Sequence, residues 1–134
     1  MRFLIDTNAW IQYFKDAASS VADHLRTTDI SDVLTCSVVW AELLHGATKY
    51  ERRDRRVARI YQTLSPFMET PFDRATANCY ANVRDRLEQR GEAIGPYDLQ
   101  IAAIALVHDL TLVTNNVSEF RRVDGLRVED WSVV

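Results

Sequence analysis

The chain has 134 residues, the length of one domain, and its 47% hydrophobic and 26% charged residues are typical of a globular protein rather than a disordered or fibrous one. No apolar run approaches the roughly 20 residues that span a bilayer, and Asp6 comes too early for the apolar region of a signal peptide, so we expect a cytoplasmic protein without membrane contact. The net charge of −3 argues against a general nucleic-acid binder, which usually carries a basic stripe.

Short apolar runs alternate with segments of helical periodicity along the whole chain. Strands that alternate with helices predict an α/β fold, with a mostly parallel sheet and helices on both faces, and we expect one domain over residues 1–134. The predicted strands cover 2–5, 33–36, 69–72, 110–114 and 126–128, and the predicted helices follow residue 6 and cover 20–28, 38–50, 52–64, 73 or 76 to 90, and 99–107.

Capping and turn residues set the bounds of several of these elements. Thr7 or Asn8 is the predicted N-cap of the first helix and Ser37 that of the third, because short polar side chains bond the free N–H groups of a first turn. Pro96 falls in the first turn of the last long helix, which is apolar on nearly all sides and should be buried. Pro71 restricts its strand to a sheet edge, because proline has no N–H to donate.

Four polar residues stand where ligands bind in such sheets, beyond the carboxyl ends of the strands. Asp6 and Asn116 follow predicted strands, Glu42 lies on the third helix, and Asp98 lies in the first turn of the apolar helix. Each allows a simpler interpretation: a helix cap for Asp6, a favourable helix dipole for Asp98 and a turn for Asn116. Glu42 is harder to explain by folding alone, although His45 is close enough in sequence to pair with it.

Together the acidic residues indicate a metal site. Three carboxylates at one edge of a sheet repel one another unless a cation neutralises them, and oxygen ligands without cysteine or clustered histidine favour Mg²⁺ or Mn²⁺. A divalent ion held in this way binds phosphate oxygens and activates water. The residue types therefore predict hydrolysis of a phosphodiester.

Four segments of the chain together resemble the VapC toxins of the PIN-domain family. Individually a motif such as Asp6-Thr7-Asn8 is weak, but the order and spacing of all four cover essentially the whole chain. The segments are FLIDTNAW at 3–10, SVVWAELLHG at 37–46, IGPYDLQIAA at 94–103 and LVTNNVSEF at 112–120.

The resemblance implies a PIN-like (Rossmann-like) α/β/α sandwich with the activity of an endoribonuclease that depends on Mg²⁺ or Mn²⁺. It matches Asp6, Glu42 and Asp98 to the three acids that hold the metal. Asn116 matches a catalytic position where many relatives have a fourth acid, so a second tightly held metal is in doubt unless Glu119 replaces it. The remaining candidates, as hydrogen-bonding neighbours of the acids or of the substrate, are Thr7 and Thr114.

The resemblance also implies partners. These are a VapB-type antitoxin, a second copy of the chain in a homodimer, and DNA only indirectly through the antitoxin. RNA is the implied substrate, with the initiator tRNA anticodon loop favoured and other tRNA loops or a ribosomal RNA loop left open. Trp10, Tyr13 and Phe14 are either core residues or part of a groove for the antitoxin. The RNA backbone has two sets of candidate contacts, the basic segment 49–59 and the pair Arg84 and Arg86.

Three other interpretations stay open at this stage. A phosphatase of the haloacid-dehalogenase type also begins with an aspartate after its first strand, but it needs a second acid where this chain has Asn8. Flap nucleases share a PIN-like metal site but are usually much longer. A degenerate PIN domain would bind RNA or a partner without cutting it. Cys36 and Cys79 lack the spacing of a zinc site, and we expect both to be buried free thiols.

Overall fold

Five parallel strands form the centre of the fold in the computed structural model, which describes residues 1–133. The strand order is β3-β2-β1-β4-β5, and every pairing is parallel. This confirms the predicted α/β fold with a central parallel sheet. The strands are β1 Phe3–Ile5, β2 Val33–Cys36, β3 Met68–Thr70, β4 Thr111–Val113 and β5 Val128–Glu129, and the helices are α1 Thr7–Lys15, α2 Ser20–Thr27, α3 Ser37–Ala47, α4 Arg53–Leu64, α5 Arg74–Gln89, α6 Pro96–Val107 and α7 Val117–Phe120, with a 3₁₀ helix at Ile30–Asp32.

The strand order reverses between β1 and β4. The chain adds β2 and then β3 on one side of β1, crosses back through α5 and α6, and adds β4 and β5 on the other side. In parallel sheets the loops separate where the order reverses, which opens a crevice beyond the carboxyl ends of the two strands. Here those ends are Ile5 and Val113, which are paired in register. A ligand site is therefore expected beside the residues that follow them.

Apolar strands and the helix α6 form most of the core. β4 is buried throughout, and Leu4 and Ile5 of β1 are fully buried. Helix α6 begins with Pro96 at its first turn and is buried from Leu99 to Ala105 except at Gln100, as its uniformly apolar sequence predicted. It packs against α5 and also contacts α3 and β4. Within residues 1–133 no helix combines the length and the apolar character needed to cross a bilayer.

The structure corrects several predicted element bounds. Asp6, not Thr7 or Asn8, is the N-cap of α1, because its carboxylate accepts the N–H of Thr7 at 2.7 Å. Ser37 is not an N-cap either, because it is the first residue of α3. The N-cap position is held by Cys36, whose side chain forms no hydrogen bond with the first turn. The last strand is short and lies later than predicted, at Val128–Glu129, since residues 123–126 form a turn before it.

The aromatic residues and the cysteines divide between core and surface. Trp10 is fully buried, so the interpretation as core holds for it, whereas Tyr13 and Phe14 are half-buried beside it. Cys36 is buried as expected, and Cys79 is not, because it lies on a half-buried face of α5. Both thiols are free.

Candidate active site

Asp6 lies at the reversal point of the sheet and is almost fully buried, with 2% of its surface exposed. Its backbone N–H donates to the carbonyl of Val113 at 2.9 Å, which fixes the residue between β1 and β4. Oδ1 accepts the N–H of Thr7, and Oδ2 accepts the hydroxyl of Thr114 at 2.8 Å. Burial raises the pKa of Asp6, the two hydrogen bonds oppose that rise, and the negative charge of Glu42 adds to it. Asp6 is thus a buried carboxylate held rigidly at the strand ends.

Glu42 joins the same site through Thr7. The Thr7 hydroxyl donates to Oε1 of Glu42 at 2.8 Å, while the backbone of Thr7 bonds Asp6. Helix α3 presents Glu42 partly exposed, so the carboxylate is less enclosed than the surrounding apolar sequence predicted. His45 does not form an ion pair with it within residues 1–133, and its own side chain is exposed. Thr7 therefore fixes the separation of the first two acids.

Asp98, in the first turn of α6, is the third predicted acid, and the charges of the other acids act on it. Partial burial raises the pKa of Asp98, and the negative charges of Asp6, Glu119 and Glu42 raise it further, to about 6. Three carboxylates from three other segments of the chain therefore act electrostatically on Asp98. The ion pairs formed within residues 1–133 all lie elsewhere, so lysine and arginine do not neutralise these acids in that part of the chain.

Asn116 and Glu119 lie on the other side of Asp6. Asn116 precedes α7, its backbone N–H donates to the hydroxyl of Thr114 at 3.0 Å, and its side-chain amide donates to Glu119. Thr114 thus connects this segment to Asp6 by accepting one hydrogen bond and donating another. Asn116 occupies the position that the resemblance assigns to a fourth acid. Glu119, to which Asn116 donates, is therefore the further carboxylate of this segment.

The donor chemistry fits a hard divalent cation, but the side chains do not form a closed cage. Among the residues that the structure describes, no three His, Cys, Asp or Glu side chains are close enough together to enclose a metal ion. Carboxylates that repel one another and lack a basic partner nevertheless suit Mg²⁺, which keeps several of its waters when it binds protein. The assignment of Asp6, Glu42 and Asp98 as metal ligands accordingly stays a prediction.

An open cleft of about 490 Å³ adjoins the acids. Glu42 belongs to both the acidic group and the cleft wall. This cleft was not predicted from the sequence, although the spacing of Val38, Ala41, Glu42 and His45 puts them on one face of α3. The remaining lining residues are Ser37, Tyr97 and Gln100.

The basic residues predicted as RNA contacts differ in the contacts that their side chains already make. Arg84 is held by Glu88 at 2.7 Å and by the Tyr80 hydroxyl, and Arg86 bonds the carbonyl of Asn82 on its own helix. Within segment 49–59 the basic side chains are all exposed, and two of the arginines stack on aromatic rings. Within residues 1–133 neither set forms an ion pair with the acidic group, and the choice between them stays open.

Comparison with known proteins gives a family and close relatives. A family model described as PIN domain matches residues 3–126, which include all four predicted site positions. A tRNA(fMet)-specific endonuclease VapC from Shigella flexneri is 36% identical over 132 residues, covering 98% of this chain and 99% of the relative. A protein of the same name from Salmonella typhimurium is 31% identical and covers 98% of each chain.

Comparison with solved structures gives the same kind of match over nearly the full chain. A chain from DNA-bound VapBC of Salmonella typhimurium superposes with a TM-score of 0.91, at 31% identity and 98% coverage of both chains. A chain from VapBC2 of Rickettsia felis, bound to a DNA fragment from its promoter, gives 0.89 at 30% identity, covering 98% of this chain and 99% of that one. The fold described above is therefore that of a known group of structures over nearly its whole length.

Proposed function

This chain belongs to the PIN domain family, and we propose that residues 1–134, as one such domain, form a metal-dependent endoribonuclease that acts as the toxin of a toxin–antitoxin pair. One observation supports the catalytic part most strongly. The negative charges of Asp6, Glu119 and Glu42, which are predicted site residues like Asp98 itself, add to the effect of burial and raise the pKa of Asp98 to about 6. Folding alone does not favour such repulsion, so a function that needs concentrated negative charge accounts for it.

The proposed metal is Mg²⁺, with Mn²⁺ as an alternative. We assign Asp6 and Asp98 as direct ligands, because Asp6 follows β1 at the crevice and its negative charge acts on Asp98 in the first turn of α6. When bound, such an ion lowers the pKa of water and stabilises negative charge on a phosphodiester. The hydrogen bonds from Thr7 and Thr114 hold the Asp6 carboxylate in one orientation, in which it would serve as a ligand.

Glu42 has two alternative roles in this proposal. It either contributes a further oxygen to the ion or accepts a proton from the water that attacks the phosphorus. The Thr7 hydroxyl donates to Oε1 of Glu42, and a carboxylate has two oxygens, so Oε2 is available for either role. Asn116 and Glu119 complete the site, Asn116 by holding the Glu119 carboxylate and Glu119 by adding negative charge opposite Glu42.

The proposed substrate is an RNA loop, with the initiator tRNA anticodon loop as the specific candidate. Two relatives, each 31% or more identical over almost the full length, carry the name tRNA(fMet)-specific endonuclease. We place this activity in the cytoplasm, where tRNA is found. Sequencing the 5′ ends of RNA fragments after induction tests the substrate: we expect one dominant end within that loop, and ends scattered over many RNAs would contradict it.

The proposed partners are a VapB-type antitoxin and a second copy of the chain. Structural relatives are VapBC complexes, two of them bound to DNA, and we propose that this chain reaches DNA only through its antitoxin. Tyr13 and Phe14 leave part of their rings exposed beside the buried Trp10, which suits an apolar segment of the antitoxin. Copurification of the chain with the product of an adjacent small gene tests this pairing, and a solitary, harmless gene would contradict it.

Cleavage of purified tRNA tests the catalytic proposal. We expect the wild-type chain to cut with Mg²⁺ or Mn²⁺ and to stop with EDTA, and Asp98→Asn to lose at least about 100-fold in rate, as the loss of a charge that acts in the transition state predicts. Asp23→Asn is the matched control, because Asp23 also lies in the first turn of a helix but is exposed and belongs to none of the predicted sites. Cleavage that persists in EDTA, or in Asp98→Asn, would contradict the proposal.

A further inference from the structure

The cleft beside the acids has the composition of a binding site for one flat, partly polar group. Its volume of about 490 Å³ lies within the range of small-ligand pockets. Val38 and Ala41 give it an apolar wall, and Ser37 and Gln100 give it groups that both donate and accept hydrogen bonds. The cleft is therefore not a simple apolar groove.

Tyr97 is the large aromatic residue of this cleft, and 60% of its surface is exposed. Within residues 1–133 its ring packs against no other aromatic ring and its hydroxyl forms no hydrogen bond with another side chain, unlike the exposed Tyr61, which packs on Trp40. A base that stacks on this ring would cover its exposed face. Tyr97 is thus available as a platform.

The position of Tyr97 connects the platform to the acids. Tyr97 directly precedes Asp98 in the first turn of α6, and Glu42 lines the cleft itself. A strand whose phosphate lies against the acidic group would have its neighbouring base within reach of the cleft. Pairs of bases stacked in a duplex do not offer a free face, so only an unpaired base fits this arrangement.

We propose that this cleft binds an unpaired nucleobase of the RNA strand next to the phosphate that is cut, stacked on Tyr97, with Ser37 and Gln100 bonding its edge. The inference depends on the proposed function, since it names how that site selects its substrate. This mode of binding explains how a protein without a basic stripe could select an RNA loop. Stacking on the base and hydrogen bonds to its edge supply affinity that phosphate contacts alone would not give to an acidic chain.

Kinetics on an RNA hairpin substrate test the stacking. Loss of one base stack weakens binding, and we expect Tyr97→Ala to raise KM about 5-fold to 150-fold with a smaller change in kcat, while Tyr97→Phe stays within about 2-fold of wild type. Tyr61→Ala is the matched control, because Tyr61 is also an exposed tyrosine, at 51%, but does not line the cleft. A KM for Tyr97→Ala equal to that of Tyr61→Ala would overturn the proposal.

A fluorescence measurement separates this inference from the proposed function. The RNA carries 2-aminopurine beside the expected cut, and the protein carries Asp98→Asn so that the strand stays intact. We expect binding to quench the fluorescence, and addition of Tyr97→Ala, but not Tyr97→Phe, to abolish the quench. If the wild-type chain cuts no RNA, the proposed function fails, and the quench alone then decides whether the cleft binds a base.

Other occupants of the cleft give different results. If a second copy of the chain covers Tyr97, Tyr97→Ala changes the molecular mass in solution and leaves the quench intact, which overturns the proposal. If the antitoxin covers it, Tyr97→Ala weakens the complex with the antitoxin and again leaves the quench intact, with the same consequence.

Discussion

Replacement of Asp98 by asparagine should stabilise the metal-free protein while it abolishes cleavage. Partial burial and the charges of Asp6, Glu119 and Glu42 raise the pKa of Asp98 from 3.8 to about 6. At neutral pH the ionised carboxylate is therefore less favourable in the folded chain than in the unfolded chain. An asparagine side chain at this position would occupy nearly the same volume without the charge, so the repulsion would be removed.

The size of this effect follows from the pKa. A rise of about 2 units corresponds to at most about 3 kcal/mol, at roughly 1.4 kcal/mol per unit, and screening by water reduces this to about 2 kcal/mol because Asp98 is only partly buried. The loss of a favourable helix-dipole interaction in the first turn of α6 offsets about 0.3–1 kcal/mol of that gain. We expect a net rise of about 1–1.5 kcal/mol in the free energy of unfolding at pH 8, or about 3–7 °C in Tm.

The pH dependence identifies the cause. Because the folded-state pKa of Asp98 is raised, the carboxylate destabilises the fold above about pH 6, and this cost disappears as the pH falls toward 3.8. The difference in stability between Asp98→Asn and wild type should therefore be largest at pH 7–8 and vanish near pH 4.

Urea denaturation followed by circular dichroism, in EDTA at several pH values, measures this difference. Asp54→Asn should be no more stable than wild type, because Asp54 is exposed in the first turn of α4. Addition of Mg²⁺ should stabilise wild type more than Asp98→Asn. An Asp98→Asn protein that is less stable than wild type at pH 8, or a difference that does not change with pH, would refute the proposed repulsion.

Two further results are expected. Thr114→Val removes a buried hydroxyl that donates to Asp6 and accepts from Asn116, so urea denaturation should show a free energy of unfolding lower by about 1.5–3 kcal/mol, and the cleavage rate should fall. Thr35→Val is the control, because its hydroxyl is also buried but contacts only Trp40, at 3.4 Å, and this variant should lose less stability; equal losses would contradict the role assigned to Thr114. Burial raises the pKa of Cys36 to about 11, so iodoacetamide at pH 8 should label the half-buried Cys79 first in the native protein, as mass spectrometry can show, and the reverse order would contradict the burial described for Cys36.

The sequence predicted the elements that carry strong local patterns. The apolar run before Asp6 and the uniformly apolar segment after Pro96 indicated β1 and α6, since burial on all sides leaves a plain signature in composition. Asp6 was singled out because a charge directly after a buried strand has few explanations in folding, and Glu42 because a carboxylate within an apolar helix has few either. The parallel sheet places the residues after β1 and β4 at one edge, whereas the positions of Glu42 and Asp98 beside them depend on the packing of α3 and α6.

The features that the sequence did not predict depend on long-range contacts or on very short elements. Helix α7, of only four residues, is too short for a periodic pattern, and the link from Asn116 to Glu119 was missed with it. The cleft requires α3 and α6 to lie side by side, and the exposure of Tyr97 depends on that packing rather than on its neighbours in sequence. The N-cap of α1 was assigned to Thr7 or Asn8, whereas the structure has Asp6 in that position, which agrees with the helix cap offered as the simpler interpretation of Asp6.

The central claim is that Asp6, Glu42 and Asp98 share one divalent ion. Anomalous diffraction from crystals soaked in Mn²⁺ tests it most directly, since the ion itself is located. We predict an anomalous peak among these three carboxylates that disappears in Asp6→Asn crystals. A saturated, catalytically active crystal with its manganese peak elsewhere, or with none, would contradict the claim.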